Sequence, residues 1–370
     1  MQISLSISTS NIPCFLKPQE PTSEFSSKLS FSTARRVGGG GGGGGGLKIS
    51  LGNHDSALFA LKGSGLLSSM GRVIEEEEKY RKARAEVQRK GIDLKGYLIE
   101  GVSIGGHETC IVVPRLNAAF DIGKCPSRAI HQDFLFITHG HLDHIGGLPM
   151  YVATRGLYSL KPPTIFVPPC IKEDVEKLFD LYRSMGQVDL ELDLVALDVG
   201  ETYEIRNDLV VRPFKTDHVI PSQGYVLYSV RKKLKMQYKH LQGKKLEKLK
   251  HSGVEITDIM LSPELAFTGD TTSEFLLNPR SADALRAKVL ITEATFLDDE
   301  ISVEQAREHG HTHLYELMEH AQWIRNEAIL LTHFSSRYKI EDIREAVLKL
   351  QPKVSGKVVA LTEGFKSMYS

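Results

Sequence analysis

The chain has 370 residues, 41% of them hydrophobic and 25% charged, with 46 basic and 46 acidic side chains that cancel to a formal net charge of zero. That composition supports a sizeable buried core and excludes binding of polyanions through bulk charge, so any such affinity must come from a local basic patch. No apolar run approaches the roughly 18 to 20 residues needed to cross a bilayer, which excludes a helical membrane protein and leaves a soluble globular one with no membrane partner.

From Met1 to Val37 serine and threonine are abundant, the only acids are Glu20 and Glu24, and basic residues gather late at Lys28, Arg35 and Arg36. This is the composition of an organellar transit peptide without the long apolar segment of a secretory signal. Hydroxyl richness with few early arginines favours the chloroplast over the mitochondrion; a disordered tail without an address, leaving the chain in the cytoplasm, is the alternative. The unbroken run Gly38 to Gly46 cannot hold a fixed backbone and reads as a linker. Residues 47–90 read as more linker and a charged helix, because "VIEEEEKYRKARAEVQRK" pairs Glu75 with Lys79 and Glu78 with Lys82 at helical spacing and stops at Gly91.

The body, residues 91–370, alternates short β-rich runs with helical ones. Expected strands cover 110–113, 118–123, 134–138, 164–168, 209–216, 224–230, 265–270, 288–294, 328–334 and 357–364. Helical periodicity is clearest in "KEDVEKLFDLYRSM", "HLYELMEHAQWI" and "IEDIREAVLKL". Two sets of strands with interspersed helices predict a layered α/β domain, sheets covered by helices. Cys14, Cys110, Cys125 and Cys170 are irregularly spaced without a C-x-x-C pair, as expected of reduced thiols in an intracellular compartment.

The densest chemistry lies in "FLFITHGHLDHIGGLP", where His139, His141, Asp143 and His144 fall within six residues just after an apolar run. Imidazole nitrogen and carboxylate oxygen are the donors zinc takes in catalytic sites. The following Gly146-Gly147 is expected to let the backbone turn sharply beneath a metal. A lone histidine is more often a satisfied core residue, but four candidate donors in so short a span exceed one structural role. The same strand-then-donor pattern recurs at His218 in "FKTDHVI", Asp270 in "LAFTGDT" and His333 in "ILLTHFSSRY". Seven donors are enough for two metals that share a carboxylate.

The order H-x-H-x-D-H, G-G, histidine, G-D-T aspartate and late histidine resembles the metallo-β-lactamase superfamily. Within it, "THGHLDHIGGLPMYVATRGLY", "TGDTTSEF", "EATFLDD" and "LTHFSSRY" are similar to the short form of tRNase Z, the tRNA 3′-processing endoribonuclease, and most closely to its plant members. The resemblance spans about residues 95 to 364. It implies an α/β fold, the αβ/βα four-layer sandwich, with two zinc ions per subunit at the sheet edges, a role that manganese or another divalent metal could also fill. His139, His141 and His218 would hold the first, Asp143, His144 and His333 the second, and Asp270 would bridge them. Two metals about 3.5 to 4 Å apart clamp both oxygens of a phosphoryl displacement and lower the pKa of a bound water to about 7; Asp143 would also orient that nucleophile.

A ribose oxygen leaves poorly unless protonated, so a general acid is needed. "EHGHTHLYE" offers His309, His311 and His313, and the family's spacing to the last zinc ligand selects His311. Glu293 matches the glutamate of the family's H-E-A-T motif and would orient that histidine. The competing structural reading makes these histidines a polar helix start with His311 or Thr312 near the N-cap. The chain departs from the family at Thr292, where H-E-A-T has histidine, at His311-Thr312-His313 for H-S-T, and in lacking the bacterial P-x-K-x-R-N motif.

Residues 231–253, "RKKLKMQYKHLQGKKLEKLKHSG", hold eight lysines and an arginine against one acid, Glu247. A cationic protrusion on a neutral protein suits a phosphate backbone bound without sequence readout. Its position matches the arm with which tRNase Z grips precursor tRNA, often on behalf of the other subunit of a homodimer. Together these features predict an endoribonuclease that cuts 3′ trailers from precursor tRNA, leaving a tRNA 3′-hydroxyl and a 5′-phosphorylated trailer. A small-molecule thioesterase or phosphodiesterase, and a non-catalytic RNA-binding subunit with structural zinc, are the alternatives.

Overall fold

The computed structural model describes residues 91–368; the leader, the glycine run and the charged helix expected over residues 1–90 lie outside the described residues. The chain opens with an antiparallel run of β1 (Ile92–Leu94), β2 (Tyr97–Gly105), β3 (Glu108–Val113) and β4 (Ala118–Phe120), to which β5 (Phe134–Phe136), β6 (Thr164–Val167) and β7 (Asp193–Ala196) add in parallel. A second sheet starts antiparallel with β8 (Tyr203–Arg206), β9 (Leu209–Lys215), β10 (Gln223–Leu234) and β11 (Thr257–Phe267). It continues in parallel with β12 (Val289–Glu293), β13 (Ala328–Thr332) and, after a short β14 (Phe334–Ser335) that crosses over to pair with β2, β15 (Lys357–Ala360).

Side-chain alternation explains how the sheets stack. Phe120, Phe136 and Phe166 of the first sheet point inward against Tyr225, Phe267, Ile291 and Leu330 of the second. The Phe120–Phe136 and Phe136–Phe166 rings lie 5.3 and 4.7 Å apart, close to parallel. The residues between them, Ala119, Leu135 and Ile165, point outward under α1 (Leu142–Ile145), α2 (Leu148–Leu157) and α3 (Lys172–Gly186), where Tyr151, Val152 and Phe179 cover them. On the second sheet Leu290, Ile329 and Leu331 pack under α6 (Leu314–Glu319) and α7 (Ile340–Leu350); α4 (Gly243–His251) belongs to the basic arm, and α5 (Val303–Glu308) precedes α6. Strands covered on both faces read as unbroken apolar runs, as residues 289–291 of β12 and 328–331 of β13 do. The result is the expected αβ/βα four-layer sandwich.

A buried carboxylate joins the sheets away from their donor-bearing ends. Glu264 accepts from Tyr97 Oη (3.0 Å) across the interface, from Ser229 Oγ (2.6 Å) and from Lys288 Nζ (2.6 Å). Burial and Glu264 together push the Tyr97 phenol up to about 12.

The expected "HLYELMEHAQWI" helix breaks after Glu319 into a 3-10 turn, Ala321–Trp323. The break lets Ile324 enter the core and Arg325 N donate to Leu285 O at 2.9 Å. Four strands escaped the sequence pattern: β1, β2, β7 and β8, which are short, glycine-bearing or half exposed. Cys110, Cys125 and Cys170 carry free thiols. Among the described residues no helix is long and apolar enough to cross a membrane.

Candidate metal centre

The C-terminal ends of β5, β9, β11, β12 and β13 meet along one edge of the sandwich, where open α/β sheets present functional side chains. His139 and His141 follow β5, Asp143 and His144 lie on α1, His218 follows β9, Asp270 follows β11, Glu293 ends β12 and His333 follows β13. Gln223 N donates to Thr138 O at 3.1 Å and ties the two sheets at this edge. Asp121 and His333 adopt left-handed backbone, with φ of 56° and 57°. Non-glycine residues hold that conformation only where their surroundings over-determine it, and here the Thr295 hydroxyl grips His333 O at 2.9 Å.

Gly146 and Gly147 work differently from the expected sharp turn. Their backbones are helical, with φ of −59° and −85°. What each lacks is room: a Cβ would stand 2.6 Å from Leu142 O at Gly146 and 2.8 Å from Ile122 O at Gly147. The glycines let α1 and α2 press onto the segment after β4 that carries Asp121.

The seven predicted donors converge. His141 Nδ1 lies 3.1 Å from His139 Nε2 and 3.2 Å from His218 Nε2, while His144 Nε2 and His333 Nε2 are 3.3 Å apart. Asp270 Oδ2 stands between the groups, 3.8 and 4.0 Å from His139 and His218, and 3.2 and 3.3 Å from His144 and His333. Asp143 Oδ2 is 3.5 Å from His144 and 3.6 Å from His333. Two donors bound at about 2.0–2.1 Å to one tetrahedral ion lie roughly 3.3–3.4 Å apart, which is the spacing of these nitrogens. Asp270 Oδ1 is buried without a hydrogen-bond partner, a costly arrangement for a carboxylate unless a cation satisfies it.

The outer nitrogens of four rings are taken by the protein. His139 Nδ1 meets Thr138 Oγ1 (2.9 Å), His144 Nδ1 meets Asp121 Oδ2 (2.8 Å), His218 Nδ1 meets Gly310 O (2.7 Å) and His333 Nδ1 meets Thr295 Oγ1 (3.1 Å). Such bonds fix the tautomer and aim the Nε2 lone pairs at each other. Burial and the neighbouring His144 push His139 down to about 2, so it stays neutral. Burial also lowers His218. For His144 burial is outweighed by the Asp270 and Asp121 carboxylates, which raise it well above the usual imidazole range. The pocket favours positive charge at that point. Donor type, spacing and field all suit a divalent metal.

Asp121, Thr138, Thr295 and Gly310 were not singled out by sequence. Asp121 carried the same signal as the ligands, an acid at a strand end in "AAFDIG", and Gly310 sits inside the histidine run.

His311 stands beside this cluster, its Nδ1 3.1 Å from Glu293 Oε1 and 4.0 Å from Asp270 Oδ2, and its ring stacked 5.3 Å from His333. Burial acts to lower its pKa, but Glu293 and Asp270 outweigh it and bring it to about 9. Glu293 also accepts from Thr271 N, Thr312 N and Thr295 Oγ1, so every oxygen is used. His309 bonds Gln305 O, and His313 is the N-cap of α6, accepting from Tyr315 N. The helix start expected at His311 or Thr312 therefore falls on His313, because Thr312 is held by Glu293 and by Thr271 O.

The fold and the histidine–aspartate cluster define a member of the metallo-β-lactamase superfamily, and the family described as "Beta-lactamase superfamily domain" matches residues 116–334. The chloroplastic tRNase Z TRZ2 of Arabidopsis thaliana is 70% identical over 310 residues, covering 84% of this chain and 88% of that protein. The tRNase Z TRZ1 of the same plant is 59% identical over 278 residues, covering 75% of this chain and 99% of that protein. Among solved structures, the short form of human tRNase Z aligns with a TM-score of 0.46 at 20% identity, covering 74% of this chain and 96% of that one. The chain belongs to the tRNase Z family.

Proposed function

We propose that this chain is a metal-dependent endoribonuclease that removes 3′ trailers from precursor tRNA, leaving a 3′-hydroxyl on the tRNA and a 5′-phosphate on the trailer. The observation that carries the reading is the seven-donor cluster in a chain of this family. His139, His141 and His218 would hold one zinc ion and Asp143, His144 and His333 a second, with Asp270 shared; manganese or another divalent ion fits the same donors. Ions bound there supply Lewis acidity and neutralise charge at the scissile phosphate.

The remaining chemistry falls to side chains. His311, protonated at neutral pH by its carboxylate neighbours, donates a proton to the leaving ribose oxygen, while Glu293 holds its Nδ1 in place. Asp143, whose Oδ2 is held by Gly106 N at 3.0 Å, orients the attacking water. The lysines of residues 231–253 grip the RNA backbone from the hairpin of β10 and β11. That hairpin leaves from the end of β11 opposite Asp270, and the 11 residues of β11 rise about 3.4 Å each, or roughly 37 Å. Such a separation supports an arm that serves the cluster of a second copy, and the exposed Met150, Leu157, Leu181 and Met185 on α2 and α3 offer an apolar face for a homodimer. The leader composition, together with a chloroplastic relative, supports import into the chloroplast.

The test is incubation with a precursor tRNA bearing a 3′ trailer. A cut near the discriminator nucleotide, abolished by chelator, is expected. Deleting residues 231–253 is expected to abolish this cut yet spare hydrolysis of a small phosphodiester. Processing that survives the deletion would remove the arm from the reading; small-ester hydrolysis without any tRNA cleavage would leave a small-molecule hydrolase.

A further inference from the structure

Trp323 is the single tryptophan of the chain, and it is 51% exposed on the turn after α6. It lines a groove of about 460 Å³ together with Leu277, Pro279, Leu285, Arg286 and Arg325. Leu277 is likewise half exposed. Neither guanidinium has a hydrogen bond or ion pair among the described residues, so two unpaired cations line the groove beside its apolar and aromatic residues.

The walls of this groove are fixed rather than incidental. Asn326 Nδ2 donates to Ala284 O (2.9 Å) and Ala287 O (2.6 Å), and Arg325 N donates to Leu285 O (2.9 Å). These bonds bolt the turn that carries Arg286 to the segment that carries Arg325. The groove is separate from the metal cluster. Arg286 and Arg325 precede the first residues of β12 and β13, whereas Glu293 and His333 lie at their far ends; five-residue strands put about 16 Å between them. It adjoins the root of the basic arm, since Lys288 N donates to Pro263 O and Tyr228 Oη to Asp283.

We propose that this groove is a second RNA subsite, which takes an unpaired nucleotide of the substrate by stacking its base on Trp323 while Arg286 and Arg325 bind the flanking phosphates. Aromatic faces accept any base, and guanidinium groups match phosphate oxygens, so the subsite adds affinity without reading sequence. This inference rests on the proposed action on RNA and extends it beyond the metal edge and the arm.

The sole tryptophan makes its own reporter. Titrating the intact chain with a short single-stranded oligoribonucleotide is expected to quench indole fluorescence. The double variant Arg286→Glu/Arg325→Glu should weaken that binding on the order of ten-fold, while its hydrolysis of a small phosphodiester and its urea midpoint stay at the parental values. Trp323→Leu, followed by anisotropy of a labelled oligonucleotide, should show a loss of similar size. Absence of quenching in the parent, quenching unchanged in the double variant, or equal quenching by inorganic polyphosphate would each overturn the subsite. So would a double variant that binds the oligonucleotide normally but changes between monomer and dimer, which would mark the groove as a contact between copies. Cleavage of precursor tRNA without quenching sinks this inference alone; quenching without cleavage sinks the proposed function alone.

Discussion

Replacing Gly310 with alanine should damage the metal centre from outside it. Helix α5 ends in a two-bond glycine cap, with Gly310 N donating to Arg307 O and His311 N to Ala306 O, both at 2.9 Å. The cap needs Gly310 at φ +75°, where a Cβ would stand 2.6 Å from His218 Nδ1 and 2.7 Å from Val219 N. The same residue's carbonyl orients His218 at 2.7 Å. Alanine must pay about 1–2 kcal/mol for left-handed backbone and also displace His218 or the carbonyl that holds it. Loss of such an orienting bond lowers metal affinity or activity by roughly 10–100-fold. Competition with a chromophoric chelator should therefore show that fall in Gly310→Ala, together with a urea-measured destabilisation above the backbone cost of about 1–2 kcal/mol. Gly200→Ala is the control: its φ is +90° and a Cβ there meets nothing within 4 Å, so it carries the backbone cost alone. Parental metal affinity in Gly310→Ala, or an equal loss in Gly200→Ala, would refute the reasoning.

Thr295→Val keeps the side-chain volume but removes the hydroxyl shared by Glu293, His333 Nδ1 and His333 O; cleavage should fall on the order of 10–100-fold, and Thr295→Ser should restore it if the hydroxyl is what matters. Asp270→Ala should lose bound metal, whereas His311→Ala should retain it and lose most cleavage; equal metal loss in both would undo that division of roles. At Glu264 burial raises the pKa, but the donors Lys288, Ser229 and Tyr97 outweigh it and hold the group below its ordinary 4.5. A depressed folded-state pKa stabilises the fold above about 4.5 and loses that contribution as pH falls through the folded value. Glu264→Gln should cost on the order of 2–3 kcal/mol near neutrality and flatten the acid limb of the stability profile; an unchanged acid limb would count against it.

Except for the edge strand β7, the parallel strands and the donor cluster were legible because each leaves a local mark. Residues 289–291 of β12 and 328–331 of β13 are unbroken apolar runs, and His139, His141, Asp143 and His144 crowd one turn after β5. Edge and antiparallel strands left weaker traces: β8 alternates between half-buried and exposed positions and lies at the rim of its sheet. Convergence of His218, Asp270 and His333 could be guessed from recurrence, but the orienting shell could not. Thr295 meets His333, 38 positions later, and Gly310 meets His218, 92 positions earlier, only once the chain has folded. The groove at Trp323 was not legible because Trp323 read as part of a helix that in fact breaks, and the turns that carry Leu277, Pro279 and Arg286 have no periodicity.

The donors do not belong to one sheet. His139, His141, Asp143 and His144 come from the first and His218, Asp270 and His333 from the second, while Glu264 and Tyr97 join the sheets deeper in. The two sheets are joined through Tyr97 and Glu264 and again through Gln223 and Thr138, and an ion held by donors from both sheets would add a further clasp at the donor-bearing edge. Stripping it should raise amide exchange in the turns after β5, β11 and β13 while leaving β10 and β11 around Glu264 protected. Metal supply would then govern how firmly the cutting edge is shut, as well as whether it can cut.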